Sequence, residues 1–380
     1  MNNIYAGKMA SGKTYKIFPI VEDAIKNNEN LIIFDAKEEY ISKFNEDFEL
    51  NNYSKYIINL NDFQKSDCYN PLKYPYELYK NGNKDDAYAI IEKLGRNIFA
   101  DDKVMDDFWI SSATNLFIGL VMGLFEDAKE EEINLLSVWN MMLCFNEKYG
   151  VSDYITKYVK TKGENNSVYN TLSSIIFAPS DTKGGIISTA RQKLQFYINR
   201  SNLIQILANN EIEFEKLFKN KTVFIIIPDN TNTVVNNIAV SILEQLLDIL
   251  YSSSKGTKII LDNFDMIEKI NNFNNLISFG PSRGIDYVIA TRSIDLLYDK
   301  YTNYINTIAN IIECNEQFEL KNMKAKEINY PKLKIEDIKT FDIKKYISNL
   351  DYEQYSDMET EGIEVKDILK KIDERLKELD

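Results

Sequence analysis

Apolar and polar positions divide the chain into short apolar runs, a stretch of helical stripes, and a return to runs. The first run is Ile4-Tyr5-Ala6, followed by a loop and then by a helical pattern from Tyr15 to Lys26 that is broken at Pro19. Leu31-Ile32-Ile33-Phe34 is a continuous apolar run that closes on Asp35. Such runs predict parallel strands buried on both faces. The segment Asp35-Ala36-Lys37-Glu38-Glu39 then falls at the C-terminal end of its strand, where ligands sit in open α/β sheets. Tyr56-Ile57-Ile58-Asn59-Leu60 reads as a third strand, and Tyr69-Asn70-Pro71-Leu72 with Pro75 interrupts regular structure.

From Asp85 to about Ile175 the period changes from strand to helix. Ala87, Ile90, Ile91 and Leu94 form one stripe. Phe108-Trp109, Ala113, Leu116, Phe117, Leu120, Val121 and Leu124 form another, and Leu135, Leu136, Val138, Trp139, Met142 and Leu143 a third. This predicts an all-α insertion whose aromatic and methionine positions are core. Strand runs return at Lys221–Pro228, at Lys258-Ile259-Ile260-Leu261 closing on Asp262, at Arg283–Thr291, and at Ile308–Cys314, read as the last core strand. Asn236 to Tyr251 is an amphipathic helix between the first two of these. After Leu333 the chain is charged and locally helical, and Glu364 to Leu379 places Val365, Ile368, Leu369, Ile372, Leu376 and Leu379 on one face. The expected division is 1–72 and 177–334 as two parts of one α/β domain, 73–176 as the all-α insertion, and 335–380 as a helical tail.

Composition narrows the chemistry. The chain of 380 residues has no histidine, so no step uses imidazole as base, nucleophile or ligand. Its three cysteines, Cys68, Cys144 and Cys314, form no C-x-x-C pair, which argues for a reducing compartment and against a zinc site. The apolar stretch Leu116–Phe125 is too short to span a bilayer, and the expectation is a cytoplasmic protein without a leader or a membrane span of its own. A net charge of −13 means that any nucleic-acid contact needs a local basic surface.

The loop after the first run is Gly7-Lys8-Met9-Ala10-Ser11-Gly12-Lys13-Thr14, a complete G-x-x-x-x-G-K-[ST] phosphate loop between a strand and a helix. Gly7 and Gly12 let backbone N–H groups turn inward toward phosphate oxygens, and the helix N-terminus adds its positive dipole end. In this pattern Lys13 reaches the β- and γ-phosphates of ATP and the Thr14 hydroxyl ligates Mg2+. Asp262, closing an apolar run downstream, is the candidate Walker B acid that holds the Mg2+ water shell beside Thr14.

Taken in order, these stretches resemble the cytoplasmic ATPase of TraG-type conjugative coupling proteins of type IV secretion, within the FtsK/HerA superfamily of RecA-like motors. The resemblance is carried by Gly7–Thr14, Phe18-Pro19-Ile20, Phe34-Asp35-Ala36-Lys37-Glu38-Glu39 (the family's D-P-K-G-E), Tyr69-Asn70-Pro71-Leu72 and Phe108-Trp109…Ala113-Thr114-Asn115-Leu116. It continues through Leu261-Asp262-Asn263-Phe264 (the family's D-E-F), Ser282-Arg283-Gly284-Ile285, Ala290-Thr291-Arg292-Ser293, and Leu296-Leu297-Tyr298 with Tyr301.

It implies a RecA-like α/β fold with a mainly parallel sheet, an inserted all-α subdomain and a helical tail. It also implies a homo-oligomer, a hexameric ring, driven by ATP and Mg2+, that moves DNA or a relaxase–DNA complex. The family's transmembrane helices do not precede the first strand, so the expectation is either a soluble form that acts at the inner face of the membrane beside a separate secretion component, or a reduced relative with another job. Four positions depart from the family. Asn263 stands where a catalytic Glu is usual, Arg292 takes the sensor position usually held by Gln, and Glu38 replaces a Gly. Pro281 falls near the expected trans-acting Arg, which leaves Arg283 as the nearest substitute, with Arg191 and Arg200 as further candidates. An amide at 263 cannot accept the proton of an attacking water. The alternative is therefore a nucleotide-binding adaptor or assembly protein of that family with weak hydrolysis. A small-molecule kinase would need an Arg-rich lid, and arginine is scarce.

Overall fold

The apolar runs become strands that all point the same way. The computed structural model describes residues 2–100, 107–145, 154–252, 256–302, 309–314 and 328–350. The chain begins β1 (Asn3–Ala6), α1 (Lys13–Lys26), β2 (Asn30–Phe34), α2 (Glu39–Leu50) and β3 (Ser54–Asn59). A helical run follows: α3 (Lys73–Lys80), α4 (Lys84–Phe99), α5 (Asp107–Asp127), α6 (Leu135–Leu143), α7 (Tyr154–Lys162), α8 (Ser167–Ile176), α9 (Ser180–Ile198) and α10 (Ser201–Ala208). Then come β4 (Thr222–Ile227), α11 (Thr233–Ser252), β5 (Thr257–Leu261), α12 (Phe273–Phe279), β6 (Ile285–Thr291), α13 (Asp295–Tyr301) and β7 (Asn310–Glu313).

The strands form a 7-stranded sheet in the order β3-β4-β2-β5-β6-β1-β7. Every pairing is parallel. Strand residues alternate between two apolar layers because successive side chains point to opposite faces. Leu31, Ile33, Val223, Ile225, Val288 and Ala290 face α1 and α2, through Ile17, Phe18, Val21, Phe44 and Phe48. Ile32, Phe34, Phe224, Ile226, Tyr287 and Ile289 face the helical body and α11. In register, Ile33 lies opposite Ile225 on one side and Ile260 on the other. With both faces covered, the central strands need apolar residues at every position, which is why they appear as continuous runs.

Several expectations change. Helix α1 runs unbroken through Pro19. One intrahelical bond is lost there, and the buried face formed by Ile17, Phe18, Val21, Ala24 and Ile25 holds the helix to the sheet. Strand β7 is not a core strand but an edge strand beside β1, with Asn310, Ile311 and Glu313 exposed. Helix α5 has no single stripe. It is buried almost all round from Ala113 to Phe125, between α4, α6, α8 and α9. Phe108, at its first turn, is 48% exposed and is not core.

By length and composition α5 and α11 could cross a membrane, but 67% and 72% of their apolar windows are buried inside the protein. The helical run does not stop at 176: α9 packs on α5 and α6, and α10 on α6 and α9, before strand resumes. Residues 343–350 are helical, and Phe341, Ile343 and Ile347 are buried in the same core as the helical body. The predicted helical face at 364–379 lies outside the described residues.

The Asn-Pro-Leu element ties the two parts together. Asn70 donates to Ile133 O at 2.6 Å, and Tyr69 donates to Gln245 Oε1 at 2.7 Å. Gln245 in turn donates to Pro71 O at 2.9 Å. These polar groups are buried and hydrogen-bonded, as burial requires.

Candidate nucleotide site

The parallel sheet brings the C-terminal ends of β1, β2, β5 and β6 to one edge. The loop Gly7–Gly12 leaves β1 there and turns into α1. The Gly7 N–H donates to Thr291 O at 3.1 Å, which pins the loop to β6. A Cβ on Gly7 would lie 2.2 Å from the backbone oxygen of Cys314, just past β7, so no side chain fits. Gly12 takes φ 75°, a left-handed turn that starts the helix, and Ala10 takes φ 61°. Lys13 folds back onto this loop. Its Nζ donates to Gly7 O at 2.6 Å and Lys8 O at 2.8 Å, with Ser11 Oγ at 3.4 Å. Burial lowers its pKa below the usual lysine range.

Asp262 lies just past β5. Its Oδ2 accepts from the Thr14 hydroxyl at 2.9 Å and the Tyr40 hydroxyl at 3.2 Å, and its Oδ1 accepts from the Asn263 N–H at 2.8 Å. Burial raises its pKa, against the pull of these donors. Asp35, past β2, is fully buried and caps α2. It accepts from the N–H groups of Glu39, Tyr40 and Ile41 at 2.9, 3.0 and 3.0 Å. Burial outweighs those bonds and pushes its pKa to about 7. Glu39, the first residue of α2, also has a raised pKa, again from burial, with the Lys37 ammonium acting the other way. Its Oε2 is buried without a hydrogen-bond partner.

The sensor position is tied to an acid two residues past Asn263. Asp265, its side chain 1% exposed, accepts from Arg292 N at 3.1 Å and Arg292 Nε at 2.5 Å. Thr291 Oγ1 stands 3.3 Å from the same carboxylate. Asn263 has φ 51°, a left-handed conformation that Asn tolerates better than most side chains. Glu38, where the motif has a Gly, takes φ 57°, the left-handed region that Gly adopts most readily. Its side chain is tied by a hydrogen bond from the Tyr330 hydroxyl.

A pocket of ≈ 240 Å³ is lined by Met9, Ala10, Ser11, Gly12, Lys13, Thr14, Tyr15, Lys37, Glu39, Asp262, Asn263 and Arg292. Gly7 and Lys8 contribute their carbonyls to Lys13. The remaining arginine candidates are elsewhere. Arg283 precedes β6 and Arg292 follows it, so the two stand at opposite ends of a strand about 20 Å long at ~3.3 Å per residue. Arg283 donates to Tyr251 O at 2.6 Å. Arg191 donates to Met142 O, and Arg200 donates to Phe196 O at 2.7 Å and lies 3.6 Å from the Phe196 ring. Sequence reasoning did not single out Glu39, Tyr40 and Lys37 as site residues. The available signal was their place directly after a strand that ends in an acid.

The chain belongs to the family described as type IV secretory system conjugative DNA transfer, which it matches over residues 4–318. No curated protein matches the sequence. Among solved structures, it is similar to the bacterial conjugative coupling protein TrwBdeltaN70 in a trigonal form with sulphate. The TM-score is 0.59 at 13% identity, over 83% of this chain and 70% of that one. It is also similar to plasmid coupling protein TrwB bound to the non-hydrolysable ATP analogue ADPNP, and to TrwB with ADP and Mg2+. Both give a TM-score of 0.56 at 14% identity, over 79% of this chain and 66% of theirs. The chain thus spans about two thirds of the length of these TrwB chains. The fold is α/β, a RecA-like P-loop domain with a helical subdomain.

Proposed function

We propose that the chain is an ATP-driven motor that moves DNA, or a DNA–protein complex, in conjugative transfer. It would work as a homo-oligomer, a hexameric ring, at the cytoplasmic face of the membrane beside a membrane-embedded secretion component. The observation that carries this reading is the contact between Thr14 and Asp262 beneath a complete phosphate loop. The donors there are a hydroxyl and a carboxylate, hard oxygen ligands that suit Mg2+. The Lys13 ammonium rests on loop carbonyls, so a phosphate can replace weak neutral acceptors with charged ones. Bound Mg2+ would neutralise phosphate charge as the γ-phosphoryl group transfers.

In this reading residues 7–14 hold the phosphates, and Thr14 and Asp262 hold Mg2+. Arg292 faces the γ-phosphate as sensor, Asn263 lies beside the attacking water, and Arg283 serves the pocket of a neighbouring subunit. Its place at the far end of β6 from its own pocket is compatible with that role in trans. Solved TrwB structures with ADPNP and with ADP and Mg2+ support the ligand class.

A second reading, a nucleotide-gated assembly protein that hydrolyses slowly, is favoured by Asn263 and by Arg292 at the sensor position. Steady-state ATPase activity with and without DNA separates the two. The motor predicts turnover that DNA stimulates and that Lys13→Ala reduces by about 100-fold or more, since the Lys stabilises transition-state charge. Absence of turnover with DNA, or no effect of that substitution, rejects the motor.

A further inference from the structure

We infer that the Glu39 carboxylate is the catalytic base of this site and supplies the proton acceptor that the Asn263 amide cannot. The inference rests on the ATP-site reading above and names the residue that would make the site turn over.

Among the described residues, three other carboxylates near the pocket are engaged. Asp262 already accepts from Thr14, Tyr40 and Asn263. Asp35 is held by three backbone N–H groups. Asp265 is held by Arg292, through both N and Nε. Glu39 differs: it lines the pocket, and its Oε2 is buried with no donor. A buried carboxylate oxygen without a partner in a native fold calls for an explanation, and a functional one is an unfilled place for a hydrogen-bonding ligand. Glu39 itself lines a pocket that also contains Lys13 and Thr14.

The backbone fixes Glu39 in position. It starts α2, and its own N–H is anchored on Asp35 Oδ1 at 2.9 Å. Strand β2, which delivers it, pairs directly with β5, which delivers Asp262. Two carboxylates therefore leave adjacent strands at the same edge, and both line one pocket with Thr14. One is saturated with donors and suits a metal-holding role. The other has an oxygen that no protein donor holds, and in this proposal that oxygen takes the water proton.

The step balances simply. A water oxygen forms a bond to the γ-phosphorus while the bond from that phosphorus to the β–γ bridging oxygen breaks. The proton lost by the water goes to Glu39 and from there to the phosphate product or to solvent. ADP leaves with the bridging oxygen's electron pair. An attacking water needs an acceptor within hydrogen-bond reach, and an amide at 263 offers none that can take a proton.

The test uses the full chain and two readouts, ATP turnover and Mg2+-dependent binding of a fluorescent non-hydrolysable ATP analogue. Glu39→Gln keeps shape and hydrogen-bonding capacity but removes the base. The expected result is a fall in turnover of at least 100-fold with analogue affinity within threefold of wild type, and with Glu39→Asp falling between the two in turnover. Turnover in Glu39→Gln within threefold of wild type overturns the inference. So does joint loss of binding and turnover, which would make Glu39 a metal-holding or structural residue. A wild-type chain that binds the analogue but does not turn over ATP also overturns it, while leaving nucleotide binding intact. A wild-type chain that does not bind the analogue rejects the ATP-site reading itself.

Discussion

The Thr14 hydroxyl donates to Asp262 Oδ2 at 2.9 Å across 248 residues of sequence. This contact exists because β5 and β1 flank β6 and all three point the same way, so that a helix start and a strand end meet at one edge. Asp262 also receives Tyr40 and Asn263, which makes it the hub of the site.

Replacing Asp262 by Ala removes one acceptor from three donors. The expected outcome is loss of the Mg2+ dependence of nucleotide binding, with affinity in the presence of Mg2+ falling about tenfold or more, equivalent to ~1.4 kcal/mol. Titration of a fluorescent nucleotide with and without Mg2+ measures this. If the two titrations of Asp262→Ala still differ as they do in wild type, Asp262 does not hold the metal.

Gly7 is required by space. A Cβ there meets the Cys314 backbone oxygen at 2.2 Å, and the neighbour is main chain that cannot rotate away. Gly7→Ala is expected to displace the loop, lower the thermal midpoint and weaken nucleotide binding. Gly82 provides the control. It has φ 90° with nothing within 4 Å of its added Cβ, so Gly82→Ala costs only backbone strain of about 1 kcal/mol. That variant is expected to bind nucleotide as wild type does. Equal binding by both variants would show that the Gly7 contact is not limiting.

Asp35 and Asp67 make stability depend on pH in one direction. Burial raises their pKa from 3.8 to about 7 and about 6 respectively. The folded state therefore holds protons that the unfolded chain has already released. Each group's stabilisation is complete below its unfolded value and is lost as pH rises through its folded value, with a slope of up to about 1.4 kcal/mol per pH unit for each proton. Asp35→Asn removes the larger of the two titrations. Urea unfolding at pH 5.5 and 7.5 is expected to show a smaller decline for this variant than for wild type. A decline of the same size would show that Asp35 does not titrate in this window.

Arg292 and Asp265 form an unequal pair, an arginine half exposed and a carboxylate nearly buried, at 51% and 1%. Arg292→Ala strands a buried charge on the backbone N–H and the Thr291 hydroxyl alone. Its expected cost is about 1–3 kcal/mol, because hydrogen bonds to charged groups are worth that much and the arginine is open to solvent. Asp265→Ala is expected to release the guanidinium toward the pocket and raise its salt sensitivity. Chemical unfolding of both single variants and the double variant measures the coupling. A coupling of zero would make the contact incidental.

The legible part of the site was the part written locally. Gly7–Thr14 was readable because a strand, a glycine turn and a helix start are consecutive in the chain. Asp262 was readable because its strand has two buried faces and ends abruptly in a charge. The covered sheet made the remaining strands readable for the same reason, apart from β7. There an apolar run lies on the edge beside β1, and burial depends on what lies beyond it, which a run of residues does not state. Helix α1 passing through Pro19 was also hidden, since packing on the sheet compensates for a bond that the local pattern counts as a break.

The sequence by itself determined the element types and the phosphate loop, because these depend on interactions over a few residues: period, turn conformation and the chemistry of adjacent side chains. The tertiary structure alone decided which acids meet. It placed Glu39 beside Thr14, joined Tyr40 to Asp262, gave Asp265 to Arg292, and left Arg283 at the far end of β6. Those outcomes follow from strand order and parallel register, which bring together Asp265 and Arg292, 27 residues apart, and Tyr40 and Asp262, 222 residues apart. Nothing in the spacing of the residues along the chain encodes that proximity.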